Sequence, residues 1–352
     1  MQPVASNKTQ GFFMGKKEVK TIADIARLAG VDKSTVSRAL NDSPLIAEET
    51  RRRIQKIAEE QRYHINAPAR CLSTQQSRVI GMATHAYYYK NKNFSITDLF
   101  LLELMGAVSS TLAVNKYDLL LIQVDPFDTE WARRYLDSGK VDGIILMTYM
   151  RKKTHISHLM DINAPFIIWG YPDPESPHCS IVGDNFNGGR LAAEHLIKSG
   201  RRKIAFLGGP SEDIEVQKRF EGFQTAMQAA GMQVRSELVH YGNFMKESAE
   251  ERMLNILEEE PDVDAVFANS DLMAIGAMQV LQKTGRQVPG DVAVIGYDNL
   301  SLTEVSDPPL TTISQNIPLL GHLLAQNLIG YLQAEIVTNA IIPAELIVRQ
   351  SA

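Results

Sequence analysis

Beyond Ser77 the chain alternates short, mainly apolar runs with amphipathic stretches, and this alternation limits the fold more than any other feature. The runs lie at 79–83, 118–122, 143–147, 166–169, 204–207, 264–267 and 292–296. Each is long enough for a strand and too short for a helix. Continuous rather than alternating apolarity predicts strands covered on both faces, as in a parallel sheet. Helical spacing marks the stretches between them; in 216–230, Phe220, Phe223 and Met227 fall on one face. Strands alternating with helices predict a doubly wound α/β architecture. Residues 76–352 are more than one such sheet uses, so two α/β lobes with parallel sheets are expected.

A different pattern precedes this body. Residues 1–20 show no sustained periodicity and read as a flexible extension. Thr21 to Asp24 then have capping-box spacing, and Ile22, Ile25 and Ala26 lay down an apolar stripe. Gly30 should end this first helix, and Asp32 can cap a second running to about Leu40. After a loop at 41–44, a third helix is expected from about Glu48 to Gln61, with Ile54, Ile57 and Ala58 inward. Two helices joined by a glycine turn predict a helix-turn-helix whose second helix enters the DNA major groove. Lys33, Ser34 and Arg38 would then face base edges. Thr21, Thr35, Ser37 and Asn41 are short polar groups suited to phosphate. A generic three-helix packing unit is the competing reading.

Charge favours nucleic acid as the head's partner without deciding it. Residues 1–75 hold 13 Lys and Arg against 8 Asp and Glu, whereas the rest holds 23 against 33. A basic head on an acidic body suits contact of the head alone with a polyanion, although a solvated basic tail would have the same balance.

The segment TIADIARLAGVDKSTVSRALNDSPLIAEETRRRIQKIAEEQRYHINAPARCLS resembles the DNA-binding head of the lac repressor (LacI/GalR) family almost position by position. The resemblance continues through GRLAAEHLIKSGRRKIAFLGGP at 189–210, DLMAIGA at 271–277, VAVIGYDN at 292–299 and PPLTTISQN at 308–316. It implies a helix-turn-helix domain over 21–65, a hinge helix over 66–75, and a two-lobed, periplasmic-binding-protein-like body over 76–352 that binds effector and dimerises. It also implies hinge contacts to DNA from Asn66, Ala69 and Leu72, with Leu72 wedged into the minor groove. Asn66 is a good N-cap there, and Pro68 in the first turn forfeits no intrahelical bond. Asp32 stands where the family has Ser and would repel phosphate, so it is not among the expected contacts. The expected partners are a double-stranded, pseudo-palindromic operator, a small-molecule effector, and a second copy of the chain. The terminal residues 347–352 continue into no leucine heptads, so a dimer rather than a tetramer is expected.

Ligands of two-lobed α/β proteins sit at strand C-terminal ends. That rule singles out His85 and Tyr87, Tyr149, Trp169, Asn269 with Ser270, and Asp298. The resemblance adds Arg219, Gln315 and Phe100. Arg and Asp can pair with vicinal hydroxyls, and aromatic rings can cover a sugar's C–H face, so a mono- or oligosaccharide inducer is the default. Trp169 and Phe100 also fit a plain core role, and Asp271 reads as a helix N-cap. The purine-binding branch of the family has a basic residue at Asp213 and Thr at Glu215, which argues against a purine corepressor. The lac-type inducer carboxylate would fall at Gly170.

Other functions find less support. No phosphate-binding loop, nucleophile elbow or HExxH motif is present, so no enzyme is expected. His155 and His158 stand at i, i+3 without a third ligand and read as surface residues; no metal or cofactor is expected. A sugar-binding transport protein would share the body but have no helix-turn-helix, while a corepressed regulator would share both. Cys71 and Cys179 form no metal or redox spacing, and no apolar run is long enough for a membrane helix. A cytoplasmic location is the simplest expectation.

Overall fold

The computed structural model describes residues 21–61, 63, 76–85, 98–125, 127–147, 153–172 and 178–352. The extension 1–20, the hinge positions Asn66, Ala69 and Leu72, and also Tyr87 and Tyr149 lie outside the described residues. The chain divides between Ser77 and Arg78 into two units.

The first unit contains three helices, α1 (Ile22–Ala29), α2 (Lys33–Leu40) and α3 (Glu48–Glu60). The Asp24 carboxylate starts α1 by accepting from the Thr21 N–H at 3.0 Å and the Thr21 hydroxyl at 2.8 Å. Gly30 ends it at φ 65°, a left-handed conformation that favours glycine. Asp32 takes the N-cap position of α2, but its side chain makes no capping bond, contrary to expectation. The carboxylate stays exposed to water instead. Ile25, Val36 and Ile54, one from each helix, are fully buried in a single cluster with Ala26, Ala29 and Ala39. That cluster fixes the angle at which α2 is presented.

The second unit holds two six-stranded sheets. The first comprises β1 (Val79–His85), β2 (Asp118–Val124), β3 (Gly143–Leu146), β4 (Phe166–Trp169), β5 (Ser180–Gly183) and β11 (Ala340–Ile342), in the order β11-β5-β4-β3-β1-β2. The second comprises β6 (Ile204–Gly208), β7 (Val239–Tyr241), β8 (Ala265–Ala268), β9 (Ala293–Asp298), β10 (Thr311–Ser314) and β12 (Glu345–Ile347), in the order β12-β10-β9-β8-β6-β7. All seven expected runs form strands. Every neighbouring pair is parallel except β10 with β12. Each sheet therefore repeats the doubly wound order 2-1-3-4-5, which opens a ligand crevice beyond its strand C-termini.

Helices α4 (Leu99–Val114), α5 (Trp131–Leu136), α6 (Lys153–Asp161) and α11 (Ile317–Leu332) cover the first sheet. Helices α7 (Asn185–Lys198), α8 (Ile214–Ala229), α9 (Lys246–Glu259) and α10 (Asp271–Lys283) cover the second. The chain passes between lobes after β5, after β10 and after β11. His155 on α6 corrects an expectation, because it is 1% exposed rather than a surface residue. The Trp131 indole N–H on α5 donates to its Nδ1 at 3.3 Å, so the ring belongs to the α5–α6 packing. Among the described residues no group of three or more His, Cys, Asp or Glu could hold a metal ion. Nor is any described helix long and apolar enough to cross a membrane.

Candidate effector cleft and DNA-reading face

Arg219 is placed by close helix packing. A Cβ on Gly189 of α7 would run into the Arg219 carbonyl, and one on Gly222 of α8 into the Phe186 carbonyl. Only glycine lets these two backbones approach so closely, and the approach brings Arg219 beside the first residue of α7. The guanidinium is buried, with its Nε donating to Asn185 Oδ1 at 2.8 Å and Nη1 to the Asn269 carbonyl at 2.5 Å. Its Cζ lies 3.7 Å from the centre of the Tyr297 ring, a cation–π contact. Of its five N–H donors, those on Nη2 bond to no described residue.

Asp298 ends β9 at φ 117°, and Asn299 follows at φ 59°. Two successive non-glycine residues at positive φ mark a strained strand end of the kind that functional sites retain. The Asp298 carboxylate accepts from Gln315 Nε2 at 2.6 Å, across to the second crossover. Burial pushes its pKa well above the usual carboxylate range; Arg219 opposes the shift and Asp271 reinforces it.

Unmet hydrogen bonds point to a ligand here. Asn269 is fully buried, yet neither its amide oxygen nor its amide nitrogen has a partner among the described residues. The Gln315 amide oxygen also lacks one. A buried polar group left unpaired costs about 1–3 kcal/mol, so three such atoms beside a buried Arg and Asp suit a site that a polar molecule completes.

Arg219, Asn269, Asp298 and Gln315 thus come together. The other described candidates make different contacts. Phe100 and Trp169 pack with ring centroids 4.9 Å apart and planes tilted by 34°, and both are buried in the first-lobe core. The Ser270 hydroxyl is engaged as the N-cap of α10, accepting from the Met273 N–H at 3.2 Å. This displaces the expected cap, Asp271. That carboxylate turns inward instead, accepting from Thr312 Oγ1 at 2.5 Å and the Leu300 N–H at 2.8 Å. His85 closes β1, and its side chain is not described. Sequence reasoning missed Asn185, Tyr297 and Tyr171. Tyr297 directly precedes Asp298, and Asn185 follows β5, so the strand-end rule would have found Asn185 had that strand been recognised.

On α2, Lys33, Ser34 and Arg38 are exposed and Ser37 is half-buried. At 100° per residue these four span one face, while Val36 and Ala39 point into the core. Thr35 lies at the margin, and the Asn41 amide donates to the Ser37 carbonyl at 2.9 Å. The Thr21 hydroxyl serves the α1 cap.

Residues 21–66 match the model of bacterial regulatory proteins of the lacI family, and residues 193–352 that of the periplasmic binding protein-like domain. The HTH-type transcriptional regulator CelR of Thermobifida fusca is 32% identical over 343 residues, which cover 96% of this chain and all of CelR. A solved transcriptional regulator CelR–cellobiose complex is similar with TM-score 0.71 and 30% identity, covering 95% of this chain and 100% of that one. A lac repressor dimer bound to operator and the anti-inducer ONPF gives TM-score 0.79 at 26% identity, with coverage of 95% and 99%. With a helix-turn-helix head, a two-sheet body and relatives matched along nearly its whole length, the chain belongs to the lacI family of bacterial transcriptional regulators.

Proposed function

We propose that this chain is a cytoplasmic, sugar-responsive repressor that binds a pseudo-palindromic operator as a homodimer and leaves it when a neutral sugar fills the cleft. The observation that carries this reading is the wall formed by Arg219, Asp298, Asn269 and Gln315, where three buried amide atoms await partners. Vicinal hydroxyls both donate and accept, so a sugar can satisfy amides and a carboxylate together. The cellobiose in the CelR structure supports the same ligand class. Asp213 and Glu215 at the start of α8 stand where the purine-binding branch has a basic residue and a Thr, which counts against a purine effector. Lys33, Ser34 and Arg38 on α2 would read bases, with Thr35, Ser37, Asn41 and Thr21 nearer the phosphates. In the hinge, Asn66, Ala69 and Leu72 would add minor-groove contacts.

The test is operator selection from random DNA, followed by titration with cellobiose, lactose, glucose, ribose, guanine and hypoxanthine. One of the sugars should weaken salt-dependent operator binding, and the purines should leave it unchanged. Purine-tightened binding would make this a corepressed regulator. Failure of every sugar would remove the sugar reading.

A further inference from the structure

Asn185 is fully buried at the first passage between the lobes. Its Oδ1 accepts from Arg219 Nε at 2.8 Å and from the Tyr297 hydroxyl at 3.3 Å, both on second-lobe elements. Its Nδ2 donates at 2.9 Å to the carbonyl of Gly183, the last residue of β5 in the first lobe. From the first lobe, too, comes Tyr171, whose hydroxyl is pushed up by burial and partly brought back by hydrogen bonding from Asn185. One neutral side chain therefore joins the guanidinium to both lobes. The position demands an amide: an acceptor for two donors and a donor for one carbonyl, within the reach of a short side chain.

We propose that Asn185 is a positioning residue that holds Arg219 with its Nη2 edge free for the effector and ties that geometry to the crossover after β5. The role in recognition rests on the effector reading above; the positioning itself does not. Without the Asn185 acceptor, Arg219 keeps one hydrogen bond, to the Asn269 carbonyl, and its contact with the Tyr297 ring. The guanidinium could then turn about its last torsions, and a ligand would have to order it on binding.

The experiment uses the full-length protein labelled with 15N. The Arg219 Nε–H signal is assigned by its disappearance in Arg219→Lys; the Tyr297 ring current should shift it and its hydrogen bond should slow its exchange. Asn185→Ala should remove both signatures and weaken cellobiose binding at least about tenfold, the loss of one hydrogen bond to a charged group. Asn185→Asp keeps an acceptor for Arg219 and should restore the shifted, slowly exchanging signal. If Asn185→Ala does not fold, Asn185→Leu, which keeps the volume, carries the same expectation. A signal that stays shifted and slow in the Ala or Leu variant overturns the proposal, and so does a loss in Asn185→Asp as complete as in Asn185→Ala. Should the parent protein not bind cellobiose, that sugar is removed as effector and the Arg219 signal alone decides the positioning claim.

Discussion

Asp271 and Asp298 are carboxylates buried in the same lobe, and each makes the other harder to ionise. Burial is the largest cause at Asp271, whose pKa is pushed up to about 7 despite hydrogen bonds from Thr312 and Leu300 and the charge of Arg349. The unfolded chain holds this carboxyl near 3.8. A folded value above the unfolded one means the native state holds the proton more tightly. Its contribution is fully present below pH 4 and is lost as pH rises through 7. The loss from this site between pH 5 and 8 should be about 2–3 kcal/mol. Asp271→Asn removes the titration yet can keep both partners, because the Thr312 hydroxyl can accept from an amide as well as donate. Denaturant unfolding across that range should therefore show a flatter pH profile for Asp271→Asn than for the parent protein. Equal slopes would mean that Asp271 does not titrate near neutrality. At this scale the site was partly legible. Asn269 and Asp298 stand at strand ends, where the crevice rule looks for them, and Arg219 and Gln315 came from the family resemblance. Asn185 was missed with its strand β5, and its role, an acceptor shared between two residues far along the chain, shows only in the structure.

Among the elements, α2 has the most direct consequence. Its two faces follow from eight residues, with Val36 and Ala39 inward and Lys33, Ser34 and Arg38 outward. Arg38→Ala should cost about 1–3 kcal/mol at the selected operator and relax preference at one base pair, if Arg38 bonds a base edge. Binding isotherms on single-base operator variants test this. A uniform loss on every sequence, with a shallower salt dependence, would assign Arg38 to phosphate instead. Most other elements could be read as readily, since central strands such as β3, β4 and β8 are fully buried and their sequences are apolar throughout. The missed strands have weaker local signals. β7, β11 and β12 are three residues long and lie at sheet edges, where pairing with a formed neighbour decides the conformation. Polar Thr and Ser make up most of β10, which gains strand geometry from β9 and β12 on either side. His155 failed for a related reason: helical spacing gives its face but not that Trp131 covers it.

For the whole molecule, the question is how a ligand at the proposed site could alter DNA binding. Gln315 lies between β10 and α11, where the chain returns to the first lobe, and donates to Asp298. Asn185 occupies the passage after β5 and holds Arg219. Two of the three crossovers are thus hydrogen-bonded to the two charged groups of the cleft. A ligand that bonds the Asp298 carboxyl and the free edge of Arg219 would pull on groups tied to two of these crossovers, and so could bias the relation of the lobes. Lobe closure carries such a change further than a side-chain shift would, because packed lobes exchange between discrete arrangements. Coupling of this kind is typically about 1–3 kcal/mol, and linkage makes it reciprocal: operator should weaken sugar binding by the factor by which sugar weakens operator binding. Asp298→Asn keeps the volume and can keep the Gln315 bond, but it removes the charge and one acceptor. It should lose the sugar response while sugar-free operator affinity stays at the parent value, since the head keeps its own core of Ile25, Val36 and Ile54. Arg219→Ala should do the same. Operator titrations with and without sugar, paired with sugar titrations with and without operator, measure both sides of the cycle. A parent-like response in Asp298→Asn would place the effector elsewhere, and sugar that tightens operator binding would reverse the sign of the coupling.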